Sequence, residues 1–517
     1  MASKYKEKKG IMNNWCSVGR IYKENYKADK PALWYKDQTV TYGELDDHVI
    51  AFANFLKSRG VQPGDKVILD MGNTPAFLYT YLGVVRNGAI IIPVNPMLTL
   101  PELAFIAKDS DASWLVTSGA VLNSHKLTAK EAAEALGVKA LIWNEALEAE
   151  IENAPREDFD FAEDEETVST FLYTSGTTGG PKAAMLMHKN LVGNARQAEE
   201  FWHVDDRDSF MCVLPMFHVF AFTLCVLLPL KAGCSISLIE TFTPKGVISV
   251  LTEKDITVFM GVPAMLMLIT DVMRKEGIRF PKLRIAAYGG ASTPVVLYNA
   301  LLELGLPPAE GFGLTEGSPA VLLNPVGESR ALACGKPIPG VECRIVDEND
   351  GDLPIGEVGE LLFRGPNMMK GYYNRPEETA ETLRGGWMHT GDLAKRDEDD
   401  YYYIVDRKKD MIIVSGLNIY PREVEEALYK HPRVKDAAVV GMPDSLRGEA
   451  VLAYIVLKDP ENPFYHKELL RWLSESLAAY KLPRRIVVLD DLPRNSTGKI
   501  LKRVLKEQPP EDGRQDD

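Results

Sequence analysis

From residue 40 to 145 the chain alternates helix-length runs with short apolar ones. Tyr42 to Arg59, Thr74 to Arg86 and Leu100 to Lys108 have helical periodicity, and Val67 to Leu69, Ala89 to Val94 and Trp114 to Val116 lie between or after them. Such βα alternation implies a mainly parallel sheet covered by helices, and it fixes the fold class as α/β. At 517 residues the chain is too long for one core, so several layers in two or more domains are expected.

A second α/β run follows, through "ITVFMGVP" and "LRIAAYGGAS" to "EGFGLTEGSP". From about Lys336 to Tyr403 the pattern changes to short strands, "ECRIVD", "GELLFRG" and "YYYIVD", separated by Gly-rich turns, which reads as a β-rich subdomain. After "DRKKDMII" a compact α+β unit begins, with strands "AAVVGM", "AVLAYIVL" and "RIVVL" around helices Pro421 to Lys430 and Tyr465 to Tyr480. The expected organisation is a large N-terminal domain, 1–408, built of α/β subdomains plus the β-rich one, then a small mobile C-terminal domain, 409–517. No internal repeat is evident, and the acidic stretch Ala146 to Glu166 reads as a solvated surface connection.

The formal net charge of −14 argues against a nucleic-acid partner. The six cysteines form no CxxC pair, and the eight histidines lack metal spacing, so neither a disulfide framework nor a structural zinc is expected. The basic start MASKYKEKKG is followed by no apolar core, so no signal peptide is expected and the location is read as cytoplasmic. Residues 210–230, "FMCVLPMFHVFAFTLCVLLPL", are nearly long enough to span a bilayer. Pro215, His218 and Pro229 favour a buried segment or the wall of an apolar pocket instead, with peripheral contact at the inner membrane face left open.

Chemistry concentrates first in "FLYTSGTTGGPKAAML", residues 171–186. The apolar flanks read as the end of a strand and, from Ala183 to Leu191, the start of a helix, a junction where open α/β sheets hold ligands. It is not a Walker loop, because Pro181 precedes Lys182 and Ala183 follows it. It still has the composition of a polyphosphate cradle. Gly176, Gly179 and Gly180 allow tight turns, Ser175, Thr177 and Thr178 add hydroxyl donors, and Lys182 adds charge. In "GFGLTE", Gly311 and Gly313 let backbone approach a flat ring, Phe312 can stack on it, and Glu316 is a hard oxygen ligand for Mg²⁺. Asp392 in "TGD" and Arg407 in "DRKK" are polar anchors of the kind that grip ribose hydroxyls, although each is also an ordinary turn or surface residue.

Seven motifs in order resemble the adenylate-forming superfamily, which contains acyl-CoA synthetases, peptide-synthetase adenylation domains and firefly luciferase. They are "YTSGTTGGPK", "LPMFHVF", "YGGAS", "GFGLTE", "TGD", "DRKKDMIIVSGLNIYPREVEE" and "PRNSTGK". The resemblance implies ATP, Mg²⁺ and coenzyme A as cofactors, a fatty acid as substrate, and leaves a homodimer open. It adds Thr174 and Thr315 to the nucleotide contacts, has Gly289, Gly290 and Ala291 line the adenine and acyl pocket, and pairs Thr177 with Glu316 at the metal. Asp392 and Arg407 become ribose contacts, and Lys499 reaches the carboxylate and α-phosphate as the main catalytic group. His218 sits beside the acyl carboxylate, Gly416 borders a pantetheine tunnel, and Lys409 is a hinge about which the small domain rotates. Peptide-synthetase domains commonly carry "FD" where this chain has Phe217 and His218, which counts against an amino-acid substrate. An aryl-CoA ligase of the benzoate or 4-coumarate type and a stand-alone carrier-loading adenylation enzyme are the alternatives.

Overall fold

A computed structural model describes residues 16–159, 164–174, 180–291, 293–462, 464–494 and 498–507. The expected alternation is present. Strand Lys66–Asp70, helix Pro75–Arg86, strand Ile90–Pro93, helix Leu100–Asp109 and strand Trp114–Ser118 follow one another, and the strands pair in parallel. Local sequence starts these helices. The hydroxyl of Thr41 accepts from the amide of Glu44, whose carboxylate accepts from the Thr41 amide, a reciprocal cap on helix Tyr42–Ser58. Thr74 caps the next helix, with Pro75 at its first position.

The large domain holds a seven-stranded and a nine-stranded sheet, each mixed at its edges, and a four-stranded antiparallel sheet between Glu342 and Arg407. One apolar cluster runs between the two large sheets and contains Phe77, Tyr81, Trp202, Phe210 and Phe222. From Ile412 onward a five-stranded sheet and helices Pro421–Tyr429 and His466–Ser474 form the small domain, with its own cores on both faces.

Three sequence expectations change. The Gly-rich loop does not lead from strand to helix. Strand Val168–Thr174 turns back into antiparallel strand Lys182–Met187, and the helix begins only at His188. The apolar run Ala183 to Met187 has no periodicity that separates strand from helix, and pairing with its neighbour decides. The acidic connection opens with helix Glu145–Glu152, which buries Leu147 and Ile151 beneath its charged face. Finally, the two large sheets repeat one order of connections, which residue-level comparison does not reveal. Strand Lys66–Asp70 lies between the next two strands of its sheet, as Ser209–Cys212 does between Ser235–Leu238 and Val258–Gly261.

The 210–230 segment is a buried wall, as expected. It contains strand Ser209–Cys212 and a π-helical turn, Ala221–Leu227, all of whose residues are buried. No helix among the described residues is long and apolar enough to cross a membrane, and all six cysteines are free.

Candidate active site

A cleft of about 990 Å³ opens where the nine-stranded sheet, the four-stranded sheet and the small domain meet. Thr174, Lys182, His218, Gly289, Gly290, Gly311, Phe312, Gly313, Thr315, Glu316, Arg407 and Lys499 all line it. These residues span more than three hundred positions of sequence, so the fold brings together most of the expected set. Ser175, Gly176, Thr177, Thr178 and Gly179, including the expected metal partner Thr177, lie outside the described residues. Ala291, Lys409 and Gly416 are not on the cleft wall, and Asp392 lies just behind it, next to the lining residue Gly391.

Backbone closeness explains the glycines. A Cβ on Gly313 would lie 1.9 Å from the carbonyl oxygen of Pro319, and one on Gly289 would lie 2.8 Å from that of Gly311. Strands Ile285–Tyr288 and Pro308–Gly313 therefore run on beside each other at the floor of the cleft without side chains between them. Phe312 packs one side against the core and turns the other to the cleft.

Glu316 is the middle residue of a short turn, Thr315–Gly317, and its Oε1 accepts a 2.7 Å hydrogen bond from the hydroxyl of Tyr372. Lys182 lies 3.8 Å from Glu378 and over the ring of Tyr372 at 5.4 Å. Tyr372 arrives from a short strand that pairs with Lys182–Met187, so Lys182 and Glu316 both rest on Tyr372. No motif marked Tyr372 in the sequence. The fit to Mg²⁺ is that of a substrate-bound ion: no group of three His, Cys, Asp or Glu side chains among the described residues could hold a metal, and one carboxylate plus phosphate oxygens suits Mg²⁺.

Asp392 is almost wholly buried behind Gly391 and Arg407. Its Oδ1 lies 3.0 Å from Arg407 Nε, and its Oδ2 has no hydrogen-bond partner among the described residues. Burial raises its pKa, against the opposing charges of Arg407 and Lys499. Lys499 follows Gly498, which has φ +80°, and precedes helix Lys502–Glu507. Burial, then the cation of Arg407, pushes the Lys499 ammonium down to about 8.

His218 is held near 4 by burial and by the Lys499 charge. Its Nδ1 accepts from the amide of Phe220 at 3.2 Å, so the neutral ring carries its proton on Nε2 and can donate to a carboxylate. The loop that carries it is clamped by Asn73, whose amide nitrogen donates to Leu214 O at 2.8 Å and whose Oδ1 accepts from the Met216 amide at 2.8 Å. Asn73 comes from the other sheet and was also unmarked in the sequence. The cleft continues past His218 along Phe217, Phe220, Ala221, Leu224, Ala309, Leu323 and Trp202, an apolar lining.

The cleft thus joins Lys182 and Glu316, the Gly391 and Arg407 that stand in front of Asp392, the Lys499 ammonium and an apolar lining. Comparison with known proteins agrees. A family model described as AMP-binding enzyme matches residues 22–373, and one described as AMP-binding enzyme C-terminal domain matches residues 423–499. The chain is 38% identical to a feruloyl-CoA synthase of Amycolatopsis sp, over 91% of this chain and 94% of that one. It is 32% identical to a long-chain-fatty-acid–CoA ligase of Bacillus subtilis, covering 93% and 92%. The crystal structure of ATP-bound MatB from Rhodopseudomonas palustris superposes with a TM-score of 0.88 at 30% identity, covering 95% and 99%. The chain belongs to the AMP-binding enzyme family, among its adenylate-forming ligases that join carboxylic acids to CoA.

Proposed function

We propose that the protein activates a medium- or long-chain fatty acid as acyl-AMP and passes the acyl group to CoA. The observation that supports this reading is the apolar set Trp202, Phe217, Phe220, Ala221, Leu224 and Leu323, which shares the cleft wall with His218 and suits an uncharged acyl chain. One carboxylate oxygen of the acid attacks the α-phosphorus of ATP and pyrophosphate leaves. The CoA sulfur then attacks the acyl carbon, and AMP departs with the oxygen it gained. His218 donates to the substrate carboxylate and orients it. The Lys499 ammonium offsets the negative charge that grows between carboxylate and α-phosphate. Asp392 receives the ribose hydroxyls, steadied by Arg407. Lys182 meets the phosphates, and Glu316, braced by Tyr372, would hold Mg²⁺, which supplies charge neutralisation at the phosphates.

A second reading is an aryl acid of the hydroxycinnamate type. It is favoured by the higher identity to the feruloyl-CoA synthase and by the small residues Gly289, Ala309 and Gly311, which leave a slot for a flat ring. CoA-dependent AMP formation across alkyl acids of graded length, with benzoate, coumarate and ferulate included, separates the two. The alkyl reading expects the highest kcat/KM on a medium or long alkyl acid. A maximum on ferulate or coumarate replaces it with the aryl one, and a maximum on acetate removes both.

A further inference from the structure

The catalytic cleft lies where topology leaves room. In the nine-stranded sheet the chain leaves Ser209–Cys212 for a strand on one side and then crosses to Val258–Gly261 on the other. The crevice beyond the carboxyl ends of these two strands contains Leu214 and Val262, both on the cleft wall. Open α/β sheets bind ligands at such reversals.

The seven-stranded sheet has the same reversal. The chain leaves Lys66–Asp70 for Ile90–Pro93 on one side and crosses to Trp114–Ser118 on the other. Just past these carboxyl ends lies a separate cavity of about 450 Å³, which Met71 and Thr74 line from the first loop and Ser118 from the second. It shares no lining residue with the catalytic cleft. Its volume is in the range of small-molecule sites. Asp70 and Thr117, opposite one another in the sheet one residue before this rim, each keep a buried oxygen without a hydrogen-bond partner among the described residues.

The lining is aromatic and carries surplus negative charge. His48 and Tyr79 stack with ring centroids 4.4 Å apart, and Tyr35 and Trp143 supply further rings. Glu148 accepts from the Trp143 indole N–H at 2.7 Å, which fixes that ring. Neither Glu148 nor Glu152 has an ion-pair partner within 4.0 Å among the described residues, whereas Arg156 lies 4.0 Å from Asp47. Burial and Arg156 keep the His48 pKa below its ordinary value, so its ring adds no charge at neutral pH. Ring faces and unmatched carboxylates together suit a cation attached to a flat ring.

We propose that this cavity is a second ligand site, which takes a small aromatic amine. The same loop connects it to catalysis. Asn73 stands between Met71 and Thr74, and its side chain clamps the Leu214–Met216 backbone ahead of His218. A ligand that shifts this loop changes the affinity for the acid more than that for ATP.

The probe is tryptamine, which has no carboxyl group to be activated. Calorimetry with the full chain is expected to give saturable binding, about tenfold tighter than for indole, the same ring without the charge. The exposed pair Glu148→Gln and Glu152→Gln together should abolish that tenfold preference. Ala76→Trp, which fills the cavity, should weaken tryptamine at least tenfold. Tryptamine should still bind when a non-hydrolysable acyl-AMP analogue occupies the catalytic cleft. The proposal is overturned by no binding at millimolar tryptamine, by displacement with the analogue, or by an unchanged preference in the double variant. It is equally overturned if Ala76→Trp, shown folded by its circular dichroism, binds tryptamine as the wild type does.

Discussion

Arg407 and Asp392 are cross-strand partners whose side chains meet at 3.0 Å, and the second Asp392 oxygen is buried with no donor among the described residues. A charged acceptor left in that state is costly unless a ligand donor completes it. Asp392→Ala is therefore expected to raise the KM for ATP by about 10- to 100-fold, the worth of one or two hydrogen bonds to a charged group. The KM for the acid should change little. Pyrophosphate exchange measured against each substrate in turn checks the split, and an equal rise in both would remove Asp392 from the ribose.

Tyr372 holds Glu316 through a 2.7 Å hydrogen bond. Tyr372→Phe keeps the ring beneath Lys182 and deletes the hydroxyl that braces Glu316, so the Mg²⁺ concentration for half-maximal adenylation should rise several-fold, a fraction of the value of a hydrogen bond to a charged group because the brace acts through Glu316. Glu316→Gln, which removes the proposed ligand itself, should cost more. An unchanged Mg²⁺ requirement in both variants would place the metal elsewhere.

The Lys499 ammonium loses its proton near pH 8 instead of the ordinary 10.5. Since the charged form is the active one, kcat/KM for adenylation should be full below about pH 8 and fall as pH rises through it. Thioester formation from supplied acyl-AMP should show no such limb. Lys499→Ala should lower adenylation by about 100- to 1,000-fold, the scale seen on removing one preorganised electrostatic group. Lys499→Arg, protonated throughout, should lose the alkaline limb in whatever activity it keeps. A limb that persists in the arginine variant belongs to another group.

The parts legible in sequence were those written in short windows. Helix Tyr42–Ser58 has its cap at Thr41 and Glu44, and the glycines of "GFGLTE" stand where backbone passes backbone. What escaped was written across windows. Ala183 to Met187 became a strand because Val168–Thr174 offered it a partner. Asn73 and Tyr372 are isolated polar residues in their own segments and gain meaning only from partners 143 and 56 positions away. The repeated sheet topology is a matter of connection order and leaves no residue-level trace. Glu310 and Arg422 belong to this second kind. They lie 3.8 Å apart and buried, one in the large domain and one in the first turn of a small-domain helix.

That pair bears on the last prediction, because it fastens the small domain in the pose that puts Lys499 into the cleft. Glu426, which accepts from the Val295 amide at 3.4 Å, adds to the same contact. Gly416, in the hairpin turn after Val414, is not on the cleft wall in this pose. On the proposed function, thioester formation uses another arrangement, in which Lys499 withdraws and a pantetheine arm enters. Lys409 stands where such a turn would pivot. On one side Lys408 pairs with Glu360 of the large domain at 3.0 Å, and on the other Asp410 lies 3.3 Å from Lys506 of the small domain. Hinges let a few residues between anchored bodies absorb a large backbone change. Lys409→Pro fixes φ near −65°, a value compatible with the single 3₁₀ turn Lys408–Asp410 seen here. It is expected to retain most adenylation while lowering thioester formation from supplied acyl-AMP by at least about tenfold, as hinge variants that block one of two poses do. Lys409→Ala leaves the backbone free and should change neither half-reaction more than about twofold. Stopped assays of each half-reaction decide the point: a wild-type ratio between them in the proline variant would move the pivot away from Lys409.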